Sequence, residues 1–460
     1  MKKIIVVAFI LALPVTLLSA QQVLTLDDCI QTALQNNPEI HKAASNLRIV
    51  KAGKLQSYSN ILPSLSMYAA PSRYYRAPST YEGFVPVGRD PVTNDIIQKK
   101  AVVTNPANTT VNYSAGLNWN QNLWDTGRWW NQIRSSEAGV RASEYAAENT
   151  VMTTVLTVKE RYYELLKAIV QLSVLEEAVE VAQEQLRNSQ SRYEIGTVAQ
   201  IDVFKSEVNL GNNQINQLNQ ELVIENARNL LNIAMGRDVD TPVEIDTDTP
   251  VDVNYGYDLE NLLSRGVRSH PSIMQQEYMM SQSALNVKIA KSGRYPTISW
   301  GGNYSRSNSD MARVYQNFDL NYGLNMNVSL RMNLFDGFIT KGNIQRSQNQ
   351  FNIDEENYTV VRRGIQSDIR NAFLQLQQYS EKLAINERIV ESAREDLRLA
   401  NERYRVGSGT LFETLDAQRA FTSTRYNYVR MQYDAKIAEA RLEEAVGILA
   451  DQYRALVDLK

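Results

Sequence analysis

Two kinds of hydrophobic spacing alternate along this chain. Apolar residues recur every seven positions at Val151, Val158, Leu165, Leu172, Val179, Leu186 and Tyr193, and again at Ile369, Leu376, Leu383, Val390, Leu397 and Tyr404. A seven-residue repeat held over five or more heptads predicts long helices packed as in a coiled coil. No proline lies between Thr126 and Thr241, or between Asp336 and Lys460, so nothing interrupts either helix. A continuous helix from Thr126 to Tyr193 reaches roughly 100 Å. Gly196 and Gly407 then punctuate the pattern and a second helical stretch follows each. Two long antiparallel helical hairpins are expected.

Ahead of each long helix the period changes to two. Tyr113, Ala115, Leu117, Trp119, Gln121 and Leu123 alternate with Ser114, Gly116, Asn118, Asn120 and Asn122. Residues 322–334 do the same, with Leu324, Met326, Val328 and Leu330 set against Asn325, Asn327 and Ser329. Shorter alternations run over 64–70 and 297–305. These are four strands, each with one apolar face and one face rich in Asn, Ser and Gly. A soluble sheet shows this pattern with its apolar face in a core. A membrane barrel shows it with that face toward lipid. All five tryptophans fall in or beside the strands and none in the long helices, which favours a membrane girdle drawn from Trp119, Trp124 and Trp300. Four strands cannot close a transmembrane barrel, and lipid tolerates no open sheet edge. Strands that span a membrane here must therefore be shared among several chains.

The pattern is also written twice. Asn37-Pro38 returns as His270-Pro271, and Leu62-Pro63-Ser64-Leu65 as Tyr295-Pro296-Thr297-Ile298, at an offset of 233. Leu123-Trp124-Asp125 returns as Leu334-Phe335-Asp336, Arg192-Tyr193-Glu194-Ile195-Gly196 as Arg403-Tyr404-Arg405-Val406-Gly407, and Ala234-Met235-Gly236 as Ala445-Val446-Gly447, at an offset of 211. The first copy thus carries 22 extra residues between Pro63 and Leu123, and their prolines and glycines predict a loop. The organisation is a signal peptide at 1–20, a first repeat at 21–240, a linker at 241–257 and a second repeat at 258–460. The leader has Met1-Lys2-Lys3, an apolar stretch from Ile4 to Leu18 and a small-residue site at Leu18-Ser19-Ala20, the layout of an exported protein.

Composition narrows the chemistry. With 48 Lys+Arg against 51 Asp+Glu, overall charge does not favour nucleic acid. One cysteine and two histidines leave no disulfide, no cysteine-based zinc site and little material for catalysis. Cys29 follows Leu26-Asp27-Asp28 rather than the small residues of a lipidation site, and is read as a free thiol packed in a helix. His41 and His270 are read as structural. No cofactor is expected. A mean hydropathy of −0.37 suits a soluble chain, but strands in which only every second residue is apolar dilute that average.

Together these features resemble the TolC-type outer-membrane efflux proteins over about residues 21–460. The resemblance rests on the duplication, on the strand pairs 64–70/113–123 and 297–305/322–334, and on the paired Arg-Tyr-x-x-Gly motifs. It implies a mainly α protein with a membrane β-barrel part, internally duplicated. In it, three copies complete one twelve-stranded barrel and their helices line a periplasmic tunnel. It further implies a non-enzymatic channel served by an inner-membrane transporter and a periplasmic adaptor. By position, the adaptor contacts fall on Ile195, Gly196, Thr197, Val406, Gly407 and Ser408. The periplasmic gate falls on Glu413, Asp416 and Tyr404, with Asp202 the first-copy counterpart of Glu413. Gly409 stands where a basic gate residue is common in the family, so closure here relies on other contacts. The helices alone also fit an exported coiled-coil spacer or adhesin without a channel.

Overall fold

The computed structural model describes residues 23–247 and 251–453; the expected signal peptide lies outside them. The first repeat holds β1 (Val23–Leu24), α1 (Leu26–Asn36), α2 (Pro38–Ser57), β2 (Ser64–Arg76), β3 (Ser79–Arg89), β4 (Ile96–Asn105), β5 (Asn108–Trp124), α3 (Arg128–Glu194) and α4 (Gln200–Met235). After β6 (Glu244–Ile245), the second repeat holds α5 (Leu259–Ser269), α6 (Pro271–Ser292), β7 (Thr297–Asn308), α7 (Met311–Tyr315), β8 (Tyr322–Arg331), α8 (Ile339–Arg405), α9 (Leu411–Val446) and α10 (Ile448–Tyr453). The long helices α3 and α8 each have 67 residues, and α4 and α9 each have 36.

The paired motifs are the corners of this fold. Asp125 accepts a hydrogen bond from the Trp129 backbone N–H at 2.9 Å, and Asp336 one from Thr340 at 3.0 Å. Each aspartate therefore caps the long helix that follows its strand. α4 and α9 end on Gly236 and Gly447, at φ +73° and +87°, a left-handed stop that favours glycine. A Cβ on Gly236 would sit 2.5 Å from the Asn36 carbonyl oxygen, so the Asn37-Pro38 corner packs directly on it. Asn37 Nδ2 also donates to the Ala234 carbonyl at 2.8 Å. His270-Pro271 lies against Gly447 in the same way.

The chain divides into two compact units. One comprises residues up to 49, 140–279 and 354 onward; the other comprises 50–139 and 280–353. The first is helical. Its main core joins α1, α3, α4, β6, α9 and α10 around Met152, Val158, Leu165 and Leu231. A smaller core joins α5, α8 and α9 around Ile369, Leu376 and Leu442. Cys29 is buried and free in the main core, and burial pushes its thiol up to about 12.

The second unit carries an antiparallel sheet of order β2-β5-β7-β8. Its register sets Leu65 opposite Trp119, Leu117 opposite Tyr304 and Tyr304 opposite Leu324. One face is thus apolar across all four strands. The other is polar: Asn303 bonds Asn118 and Ser299 bonds Ser329 across it.

Several expectations change. β5 runs to 17 residues because β2 stays paired as far as Arg76↔Asn108, beyond the last apolar alternation. β8 stops at Arg331 rather than 334, since its last pair is with Thr297 and Pro296 before it has no N–H to donate. The 22-residue insertion is not a loop but the hairpin β3–β4, with Pro86 at a register shift on an edge strand, where proline is tolerated. The linker 241–257 contains β6, which pairs in parallel with β1 and buries Val243 and Ile245. Trp129 and Trp130 belong to the first turn of α3, not outside it.

Candidate functional site

The turns that close the two helical hairpins have the same backbone. Gly196 N–H donates to the Tyr193 carbonyl at 2.9 Å, and Thr197 N–H to that of Arg192 at 2.9 Å. Gly407 and Ser408 repeat this onto Tyr404 and Arg403 at 3.2 and 2.9 Å. Gly196 and Gly407 sit at φ +74° and +78°, with open space around the position of a Cβ. Glycine is needed there for the left-handed backbone, not for lack of room. Ile195 and Val406 project from the turns and are exposed.

The start of α9 explains the unusual Gly409. Its N–H bonds the Arg403 carbonyl at 3.0 Å, and a Cβ would lie 3.0 Å from Arg403 Cβ and 3.1 Å from Tyr404 N. The backbone folds tightly onto the last turn of α8, so a side chain at 409 would require its neighbours to shift by a few tenths of an ångström. Arg403 places a positive charge at the start of α9, with Nη1 at 3.7 Å from Glu413 Oε2. Both groups are about half exposed, so water screens the pair and its contribution is small. Glu413 also lies in the first turn of α9, where Thr410 caps its N–H and a carboxylate suits the helix dipole.

Asp416 is exposed one turn further on. It lines a groove of about 390 Å³ between α4 and α9, together with Ile201, Phe204, Phe412, Leu415 and Arg419. Asp202 occupies the equivalent first turn of α4. Tyr404 is drawn toward the first repeat: the Arg192 guanidinium stands 4.8 Å from its ring centroid, a cation–π distance. The Tyr404 hydroxyl is buried without a partner among the described residues. Arg192 and Arg403 are the same position of the two Arg-Tyr-x-x-Gly motifs, yet one stacks on a tyrosine and the other pairs with a glutamate. Sequence reasoning missed both. The repeated arginine was their only signal, and it does not tell which partner each takes.

Among the aromatic residues, Trp119 and Trp300 meet edge to face with centroids 6.3 Å apart, and Trp124 is exposed at the end of β5. Trp119 lies over Gly302, where a Cβ would fall 2.1 Å from its ring. No helix among the described residues is long and apolar enough to cross a membrane.

The pattern that defines the outer membrane efflux proteins matches residues 29–237 and 262–448, one stretch in each repeat. The chain belongs to the outer membrane efflux protein family. Among curated members, it is 23% identical over 342 residues to the outer membrane protein TolC of Vibrio cholerae serotype O1, covering 74% of this chain and 77% of that protein. It is 22% identical over 427 residues to the probable efflux pump outer membrane protein TtgC of Pseudomonas putida, covering 92% and 82%. Its fold is similar to the CmeC outer membrane channel of Campylobacter jejuni, with TM-score 0.76 and 19% identity over 94% of this chain and 89% of that one. It also matches the open-state MtrE channel of Neisseria gonorrhoeae, with TM-score 0.74 and 19% identity over 92% and 88%. As a family member the chain is an outer membrane efflux protein, not an enzyme.

Proposed function

We propose that three copies of this chain form one efflux channel in the outer membrane of a Gram-negative bacterium. The channel passively conducts substrates delivered by an inner-membrane transporter through a periplasmic adaptor. The observation that carries this is the sheet: β2 and β8 are its two edges, each bonded on one side only, and its apolar face exposes Leu65, Met67, Leu324, Met326 and Val328. Such a sheet is stable in lipid only when its edges are paired. Joining β8 of one copy to β2 of the next gives a closed barrel of twelve strands, its polar face toward a wet lumen and its apolar face toward outer-membrane lipid.

In the trimer, Glu413 and Asp416 ring the periplasmic end of the bore, with Tyr404 and Asp202 nearby. The stacking of Arg192 on Tyr404 and the pairing of Arg403 with Glu413 supply the contacts that Gly409 cannot. The exposed turns Ile195-Gly196-Thr197 and Val406-Gly407-Ser408 meet the adaptor, and a photo-cross-linker at Thr197 or Ser408 should capture it. The decisive experiment is extraction. The mature protein should partition with outer membranes and emerge as a trimer only in detergent; recovery as a soluble periplasmic monomer would overturn the channel.

A further inference from the structure

Arg306 is the most buried cation of the sheet, at 2% exposure. Among the described residues no carboxylate pairs with it. Its Nη2 instead donates to the carbonyls of Arg313, Gln316 and Asn317 at 2.7, 2.8 and 2.9 Å. Its guanidinium lies 5.0 Å from the Phe318 ring centroid. Tyr304, two residues earlier on the same face, donates its hydroxyl to the Phe318 carbonyl at 2.8 Å. Residues 313–318 are therefore strapped onto the side of the sheet toward which Tyr304 and Arg306 point.

The register identifies that side. Tyr304 stands between Leu117 and Leu324, and Arg306 between Ala115 and Tyr322. This is the apolar face, not the face of Asn118, Asn303 and Asn327. α7 packs on β5 and β7, with Val314 fully buried. Asp310 caps α7, and Asn317 and Asn321 take left-handed backbone at φ +53° and +56° to turn the chain out and back. On its outer side the strap exposes Met311, Phe318 and Leu320. Its exposed charges are few: Arg313 is 3.7 Å from Asp310, which leaves Asp319 as the one unbalanced charge.

We propose that residues 310–320 form a membrane foot, an interaction surface for outer-leaflet lipid that Arg306 holds against the lipid side of the barrel instead of over its mouth. The inference rests on the barrel reading. From Ile298 to Asn308 the strand rises roughly 33 Å, about 25 Å along a barrel axis at ordinary tilt, the height of an outer-membrane apolar band. Arg306 lies two residues from the outer end of that span. A bare cation at such a position is costly in lipid; three backbone carbonyls on Nη2 and an aromatic face offset part of the cost, while Nε and Nη1 have no partner among the described residues. The apolar residues of the foot continue the band formed by Tyr322, Leu324, Met326 and Val328, and a single unbalanced carboxylate, Asp319, leaves apolar surface as its main feature, as suits the headgroup–chain boundary.

The test uses the trimer in liposomes. Cys29 is buried and its thiol is held protonated, so a fluorophore is directed to Leu320→Cys, which is exposed on the strap and leaves the Phe318 ring on Arg306, with Met326→Cys and Asn327→Cys as references for the two sheet faces. Nitroxide near the lipid headgroup should quench the label at 320 at least about twofold more than nitroxide at the chain end. Aqueous iodide should quench it far less than the label at 327. Quenching at 320 by iodide alone, with 326 still quenched by lipid, would overturn the foot and leave the barrel standing. Loss of lipid quenching at 326 would overturn the barrel, and the foot with it. Arg306→Gln should move the 320 label from lipid to water while 326 is unchanged; an unmoved 320 label would remove Arg306 from the proposal.

Discussion

The two repeats share one backbone and bury it differently. α3 is buried on more than one side: Met152, Val155, Val158, Tyr162, Leu165 and Leu166 all pack in the main core. At the same positions of α8, Arg363, Gln366 and Gln377 replace Met152, Val155 and Leu166, and only the seam of Ile369 and Leu376 stays buried. The following helices reverse the relation. Along α4, Ile201, Phe204, Val208, Gly211, Ile215, Leu218 and Leu222 fall at alternating spacings of three and four, and the six side chains are exposed. Their counterparts on α9 are Phe412, Leu415, Arg419, Thr422, Tyr426, Val429 and Tyr433, of which Leu415, Val429 and Tyr433 are buried. An a/d seam of this regularity is a surface awaiting another helix. The two repeats have equal helix lengths and differ in which helix packs inside the chain and which presents an exposed seam.

Exchanging residues between the repeats tests that contrast. The largest effect should come from Leu166→Gln, which puts the second repeat's residue into the first repeat's core. It buries an amide without partners and should cost about 3 kcal/mol or more, read by thermal unfolding in detergent. The reverse change, Gln377→Leu, should be nearly silent; equal losses would mean that the two helices are not differently packed. Next, Val208→Arg copies Arg419 into the α4 seam. It should leave helical content intact and shift the purified protein from trimer to monomer by size exclusion, whereas an intact trimer would show that the seam faces solvent.

At the tips, removing Glu413 and Asp416 together should raise the cation concentration needed to block conductance in planar bilayers by about tenfold. Asp202→Ala should move it less. Similar shifts from both would make the ring a property of both repeats. The smallest effect concerns His270, where the first repeat has Asn37. Burial holds its imidazole down to about 4. Below the unfolded value of about 6.5, the unfolded chain binds a proton that the folded chain refuses, so stability falls as pH drops through this window. His270→Asn should flatten the decline in melting temperature between pH 7 and pH 5, and an unchanged slope would place the sensitivity elsewhere.

Much of this was legible in the sequence because it is periodic. The proline-free stretch gave α3 to within two residues at each end, the heptads from Ile369 to Tyr404 marked the C-terminal half of α8 but not its start, and alternation found the four strands of the main sheet. The unread parts are those where backbone pairing, not side-chain pattern, decides. In β3–β4 the residues 79–105 mix Tyr81, Phe84, Glu82 and Lys100 on an exposed hairpin, so neither face is consistently apolar. β1 and β6 are two residues each and pair across the whole first repeat. At the tips, the contacts are Arg192 on Tyr404 and Arg403 with Glu413, and neither is legible in the sequence, since a repeated arginine looks like a solvated surface residue. Arg306 was silent for a different reason: its partners are carbonyls, which every residue has.

The equal lengths of α3 and α8 impose a rule on how this molecule can vary. Arg192 and Tyr404 come from the last turns of two different 67-residue helices. One residue inserted into only one of them would shift its last turn by about 1.5 Å and rotate it by about 100°, enough to part the pair. The two helices act as matched rulers. Length changes in one are tolerable only with the same change in the other, so a relative that differs in tunnel length should differ twice, by equal amounts, 211 residues apart in this numbering.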